Sequence, residues 1–262
     1  MTIYGSLPMR PALLIGLTLL VTLAALPARA ELRTVLCECD SPPLVEFAPG
    51  SYKPTGGLIK DMSELIARQM GVKASYVVLS RKRIDLALTR GEVDLLCFAN
   101  PAWTSLADKL HWTEEIVPQV ERVMMDKTRA TRTNNVNDLK GMRIGLIHGF
   151  HYPAIDPLIL TGDIKPVYEK DHESNFKLLE RDAVDGLISA DLQIAHYLRN
   201  PPASGRPFGM SNYVVSSTPT HCAVPKASPI KVERVMQAVQ QLKAQGAFDK
   251  LLNQYRVAQP AR

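Results

Sequence analysis

The residue types with the widest chemistry in this 262-residue chain are its four cysteines (Cys37, Cys39, Cys97 and Cys222) and six histidines. Thiolates attack electrophiles and bind soft metals, and paired thiols close disulfides. Cys37 and Cys39 stand two apart in a predicted strand, so both side chains point to one face, where a bridge between them would be strained. Their spacing is also not the C-x-x-C pair of a zinc site. Four cysteines allow three complete pairings, and the residues alone leave structural disulfides, buried free thiols and a thiolate metal site open. His148 and His151 lie in the run His148-Gly149-Phe150-His151-Tyr152, where imidazoles can move protons or meet a ligand. Arg81, in Arg81-Lys82-Arg83, offers a planar fork for a carboxylate or phosphate. Glu38 ends an apolar strand and could serve acid–base chemistry. Each has a plainer reading: a solvated helix start for Arg81, surface loop residues for the histidines, a strand-end carboxylate for Glu38. The sequence contains no nucleophile elbow, no H-E-x-x-H pair and no phosphate-binding glycine loop.

These residues are set between alternating strand and helix patterns. Leu32–Cys39 reads as a strand, broken by Ser41-Pro42-Pro43. Leu58, Ile59, Met62, Leu65, Ile66 and Met70 recur at helical spacing, and Gly71 ends that helix. A strand over Lys73–Leu79 and a short helix closed by Gly91 follow. Val93–Phe98 is apolar but for Asp94, as in a strand buried on both faces of a parallel sheet. The pattern restarts with strands at Val120–Met125, Arg143–Ile147, Ile164–Tyr168 and Val184–Ser189. Between them stand helices around Pro153–Leu160, His172–Arg181 and Asp191–Leu198. Pro201–Pro207 reads as a loop, Val214–Val224 as one or two strands, and Ile230–Leu242 and Phe248–Tyr255 as helices parted by Gly246. Repeated strand–helix units imply an α/β fold with parallel sheets.

Composition is that of a globular protein, with 46% hydrophobic and 22% charged residues. The net charge of +5 is spread too evenly to argue for nucleic acid. Arg10, the uncharged run Pro11–Leu26 and the small residues Ala28 and Ala30 make residues 1–30 a signal peptide, too short in its apolar run to span a membrane. No Cys follows the cleavage site, so no lipid attachment is expected there. The remaining chain carries +3, from 29 Lys+Arg against 26 Asp+Glu. An exported, periplasmic protein follows, with its cysteines in an oxidising compartment.

The order of local motifs resembles bacterial extracellular solute-binding proteins of family 3, the type II periplasmic binding proteins of polar amino acid ABC transporters. The likeness rests on Leu32-Arg33, Pro42-Pro43-Leu44, and Gly57-Leu58-Ile59-Lys60-Asp61-Met62 in place of G-F-D-x-D-L. It continues through Leu88, Gly91 and Val93-Asp94, then Asp138-Leu139-Lys140-Gly141-Met142-Arg143-Ile144-Gly145 in place of D-L-K-G-K-x-V-G. Ala183-Val184-Asp185-Gly186 and Gln245-Gly246-Ala247-Phe248-Asp249-Lys250 complete it.

The resemblance implies two α/β lobes, each a mainly parallel sheet flanked by helices, joined by two hinge strands. Lobe one would be 31–119 plus 214–262 and hold all four cysteines, and lobe two would be 120–213. A ligand would lie in the cleft at the carboxyl ends of the strands. Cleft positions map to Glu38 and Ser41; Arg81, where the family often has a stacking aromatic; Phe98, Ala99, Asn100 and Trp103; and His148, Phe150, His151 and Tyr152. The family arginine that forks onto an amino-acid carboxylate falls at Leu106, and the carboxylate that meets the ligand ammonium falls at Ala190, with Asp191 one beyond. The expected activity is capture of a small polar solute, anionic or carboxylated, and its delivery to an inner-membrane ABC permease. The protein is expected to be a monomer without cofactor, metal or catalytic residue. An enzyme resembling cyclohexadienyl dehydratases and a sensory or accessory receptor are the alternatives.

Overall fold

Apolar periodicity places the strands and helices, and a computed structural model describes them for residues 1, 2, 5, 31–200 and 205–256. The expected leader, apart from residues 1, 2 and 5, lies outside the described residues, as does 201–204 of the Pro-rich loop. In order, the first elements are β1 (Glu31–Cys37), β2 (Glu46–Phe47), β3 (Pro54–Gly56), α1 (Leu58–Gln69), β4 (Lys73–Leu79), α2 (Arg81–Arg90), β5 (Leu96–Ala99) and β6 (Leu110–Trp112). Then come β7 (Pro118–Asp126), α3 (Lys127–Ala130), β8 (Arg143–Ile147), α4 (Asp156–Leu160), β9 (Lys165–Glu169), α5 (His172–Glu180), β10 (Gly186–Ala190) and α6 (Asp191–Arg199). The last are β11 (Phe208–Pro219), β12 (His221–Pro225), α7 (Val232–Ala244) and α8 (Ala247–Tyr255).

The elements form two lobes. In lobe one, β1 and β4 pair in parallel from Glu31↔Lys73 to Cys37↔Leu79. Leu95, just before β5, makes a parallel bridge to Thr34 of β1, and β5, β12 and β6 form an antiparallel sheet. Leu32, Leu58, Met62, Ile66, Leu95, Val239 and Phe248 are buried together in one core. Val35, Leu79, Ile84, Leu88 and Val93 make a second, smaller one. In lobe two the strand order is β11-β7-β10-β8-β9. Successive residues there alternate between faces, as the pleat requires. Val123 and Ile188 pack with Ile144, Leu146 and Tyr152, while Met124 and Leu187 pack with Phe176, Leu179 and Ile194.

Three sequence expectations are corrected. Parallel pairing is confined to part of each lobe, because β7 and β11 run antiparallel to their neighbours in lobe two, as β12 does in lobe one. The Val93–Phe98 run enters a mixed environment: its strand starts only at Leu96, with β12 antiparallel beside it, so an apolar run reported burial and not strand direction. Cys39 is not in a strand. β1 ends at Cys37, and a turn brings Cys39 round to bond Cys37, while Cys97 bonds Cys222. The Gly91 stop is as expected: its φ is 66°, and a Cβ there would lie 2.2 Å from the Ala227 carbonyl oxygen. Among the described residues no helix is long and apolar enough to cross a membrane.

The chain crosses between lobes along β7 and β11. Ile116 and Val117 pack with the lobe-one core, and Val123 and Val215 with lobe two. Thr220 N–H donates to the Val117 carbonyl at 3.1 Å, tying the crossings together.

Candidate functional site

The lobes meet at the carboxyl end of β10. Leu192, from the first turn of α6 in lobe two, packs into the lobe-one core. One residue on, Gln193 Nε2 donates to Ser41 Oγ at 3.4 Å, and Ser41 stands on the turn that follows β1. Ser41 of lobe one and Asp191, Leu192 and Gln193 of lobe two stand along this edge, where strands end and helices begin.

On the lobe-one side, the Glu38 N–H donates to the Leu79 carbonyl at 2.9 Å, which fastens the turn after β1 to the end of β4 and so to Arg81 at the start of α2. Asp40 follows the disulfide, and its Oδ2 accepts the Cys37 N–H at 3.0 Å. Burial pushes the Asp40 carboxyl up to about 6, against the Cys37 N–H and the Arg81 charge, which pull it down. Arg81 is exposed and lies 3.7 Å from Asp85. Ser80, at the N-cap, makes no side-chain cap, and the first turn of α2 has no acidic residue, so three cations stand at an uncapped helix start.

The expected residues after β5 are placed differently. Asn100 uses its whole amide on the backbone: Oδ1 accepts from Ala102 N and Nδ2 donates to the Pro219 carbonyl, both at 2.8 Å. It joins the end of β5 to the end of β11 and so braces the crossing. Phe98 is buried in the lobe-one core with φ at 56°, a left-handed conformation costly for a bulky residue. Ala99 pairs with His221 in the sheet, and Trp103 is exposed. Leu106 packs against the smaller lobe-one core, as an apolar residue should.

On the lobe-two side, a chain of hydrogen bonds leads inward from Ser41. Ser189 Oγ donates to Gln193 Oε1 at 3.0 Å, and His172 Nδ1 lies 3.2 Å from Ser189 Oγ. Since the serine proton is used on Gln193, the network assigns a proton to His172 Nδ1 and leaves Nε2 as an acceptor. Burial lowers the His172 pKa and so favours the neutral imidazole, while the Asp171 charge opposes the shift. Phe150 sets its ring edge-on to His172 with centroids 6.2 Å apart, and 6.5 Å from Tyr152. Tyr152 is buried, its hydroxyl accepting the Ile147 N–H at 3.1 Å. His148 stacks on Tyr168 at 5.2 Å, and His151 is exposed. Asp191 begins α6, 3.8 Å from Arg256 Nε, with a pKa raised by burial.

Sequence reasoning missed His172, Ser189, Gln193 and Glu121 as site residues. Ser189 and Gln193 are four apart across a strand–helix junction, a spacing with a structural meaning only once the junction is known. Glu121 stands beside Arg122 in the strand Val120–Met125, where a charged pair gives no local signal of a site. Its cross-strand partner is Ala190, its Oε2 accepts the Ser216 hydroxyl at 2.7 Å, and burial raises its pKa. A carboxylate thus stands beside the position where Ala190 has none. Among the described residues no group of three or more His, Cys, Asp and Glu could hold a metal ion.

Residues 34–258 match the family described as bacterial extracellular solute-binding proteins, family 3. No curated protein has a significantly similar sequence. Among solved structures, an ancestral arginine-binding protein bound to arginine superposes with a TM-score of 0.64 at 19% identity, over 87% of this chain and 98% of that one. The second substrate-binding domain of Lactococcus lactis GlnP, in an open conformation, gives 0.67 at 15% identity over 89% and 98%. An ancestral amino acid-binding protein described as a precursor of cyclohexadienyl dehydratase gives 0.63 at 19% over 87% and 96%. At such identities the likeness shows the fold: two lobes of the type II periplasmic-binding-protein kind.

Proposed function

The chain belongs to the bacterial extracellular solute-binding proteins, family 3, and on that premise we propose that it is a periplasmic receptor that holds a small polar solute between its lobes and hands it to an ABC permease. In this reading residues 1–30 are a cleaved leader, lobe one is 31–119 with 214–262, and lobe two is 120–213, with β11 carrying the second crossing. The protein acts as a monomer and leaves its ligand unchanged.

The observation that carries the reading is the Ser41–Gln193 link, which joins the strand ends of both lobes through hydrogen-bonding side chains. The groups beside it suit a carboxylated or anionic solute. Arg81 and the uncapped start of α2 offer positive charge, while His172, Ser189 and Gln193 offer neutral donors and acceptors. Leu106 and Ala190 lack the charges of the usual α-amino-acid contact, so the ligand is held by another set, with Glu38, Ser41, Arg81, Phe150, His151 and Asp191 on the cleft rim.

A thermal-shift panel of amino acids, dicarboxylates, amines, aromatic acids and oxyanions tests this. A ligand at about 100 times its Kd adds about 2.7 kcal/mol, at about 2–4 °C per kcal/mol for a chain of this size. Arg81→Ala then weakens binding at least about tenfold in calorimetry. No stabilising compound in any class overturns the receptor reading, and unchanged affinity removes Arg81 from the site. Consumption of prephenate or arogenate would replace the reading with a dehydratase.

A further inference from the structure

The two disulfides differ in exposure and in the length of chain that each one closes. Cys97 and Cys222 are buried at 3% and 0% exposure and lie 125 residues apart. Cys37 and Cys39 are two residues apart, on the turn at the cleft end of β1, and Cys39 is exposed while Cys37 is buried. An incoming thiolate therefore has one sulfur within reach, Cys39 Sγ. Attack there expels Cys37, and Cys37 Sγ already accepts the Cys39 backbone N–H at 3.1 Å, a donor placed to stabilise a departing thiolate. The Asp40 side chain, 3.0 Å from the Cys37 nitrogen, stands beside the same residue, and Arg81 adds positive charge to the rim. Cys37 packs in the smaller lobe-one core, but the solute-binding reading does not use the bridge to Cys39. The long-range cross-link in the core is the other one.

We propose that Cys37–Cys39 is a thiol–disulfide exchange site on the rim of the cleft, which accepts two electrons from an external dithiol while Cys97–Cys222 stays closed. The first dithiol sulfur, as thiolate, bonds to Cys39 Sγ, the Cys37–Cys39 bond breaks, and Cys37 leaves as a thiolate and takes up a proton. The second dithiol sulfur then attacks its own partner in the mixed disulfide, releasing Cys39 as a thiol. The dithiol is oxidised to a cyclic disulfide, and the cysteine pair is reduced by two electrons and two protons. The bridged turn runs straight into Ser41, which reaches Gln193 of lobe two, so opening it loosens the lobe-one end of the Ser41–Gln193 hydrogen bond. The redox state of the rim thereby acts on lobe contact.

The test is differential alkylation of the folded protein. It is incubated in graded dithiothreitol, trapped with iodoacetamide and mapped by peptide mass spectrometry. Cys37 and Cys39 are expected to become labelled at a dithiothreitol concentration at least tenfold lower than Cys97 and Cys222 require. Glutathione in place of dithiothreitol should leave its mixed disulfide on Cys39. Both pairs opening together, Cys97–Cys222 opening first, or the glutathione adduct on Cys37 would each overturn the proposal. The Cys37→Ser variant, which cannot form the bridge, should be glutathionylated by oxidised glutathione at Cys39 while its melting temperature stays within a few degrees of the parent. Failure of a folded variant to take the adduct would also refute it. None of these readouts needs the solute.

Discussion

In lobe one, Arg33 at the start of β1 sets its guanidinium on Asp94, with Nε and Nη2 at 2.8 and 2.7 Å from the two oxygens. In lobe two, Arg143 at the start of β8 does the same to Asp185, at 3.2 and 3.1 Å. In both, the arginine's own N–H also donates to the carboxylate, at 3.0 and 2.8 Å. The aspartate N–H returns a bond to the arginine carbonyl, at 2.7 and 2.8 Å. Each aspartate follows a valine, Val93 or Val184. The clamps differ in surroundings. The Asp94 side chain is 3% exposed and takes a further bond from Ser228 at 2.6 Å, whereas Asp185 is 30% exposed. One local pattern therefore does two energetic jobs. Where water is excluded, breaking the pair strands a charge. Where water reaches it, solvent replaces the partner. Lobe one also contains both disulfides among the described residues, so it is the more heavily braced of the two.

The largest effect that can break this contrast is removal of the long cross-link. Cys97→Ser with Cys222→Ser should cost up to about 5 kcal/mol on the loop-entropy account, and Cys37→Ser with Cys39→Ser below about 2 kcal/mol. Scanning calorimetry that found equal losses would show loop length to be irrelevant here. Next, Asp94→Asn leaves Arg33 without its counter-charge and should cost about 3 kcal/mol, near the lower end for a buried pair because Arg33 is itself partly exposed. Urea unfolding reads this directly.

A third effect has the opposite sign. Burial raises the Asp40 carboxyl to about 6, so the folded state holds a proton that the unfolded chain releases near 4. Stability from this group is full below about 4 and is lost as pH rises through about 6. Asp40→Asn, which keeps an acceptor for the Cys37 N–H, should therefore stabilise by about 2 kcal/mol at pH 8 and by nothing near pH 4, once partial exposure is discounted. Melting temperatures of the pair across pH would expose a wrong sign. The smallest effect is Asp185→Asn, about 1 kcal/mol at neutral pH. Arg143 lowers the Asp185 pKa, and Arg33 and Ser228 lower that of Asp94 despite burial. Both contributions are present above about 4 and fade as pH falls through the lowered native values. A loss at Asp185 as large as at Asp94 would erase the distinction between lobes.

Much of this was legible in the residues. The strand Arg143–Ile147 and the Gly91 stop came directly from periodicity and glycine chemistry, because both depend on neighbours in sequence. The site was legible in part. Ser41, Arg81 and Phe150 lie on the segments around the junction, whereas Asn100 and Phe98 are committed to bracing and core. Glu121 is one of two adjacent charges in its strand, and its place beside Ala190 depends on a strand register that no local pattern encodes. His172 and Gln193 were invisible as partners, since they meet only after α5 and α6 pack on β10.

The sequence by itself determined the element order, the stops and the family, because those are written in side-chain type and short spacing. Tertiary structure decided which cysteines bond, which of two identical clamps is dry, and which residues link the lobes. Each of these depends on distances between segments far apart in the chain, and on how much water the finished packing leaves between them.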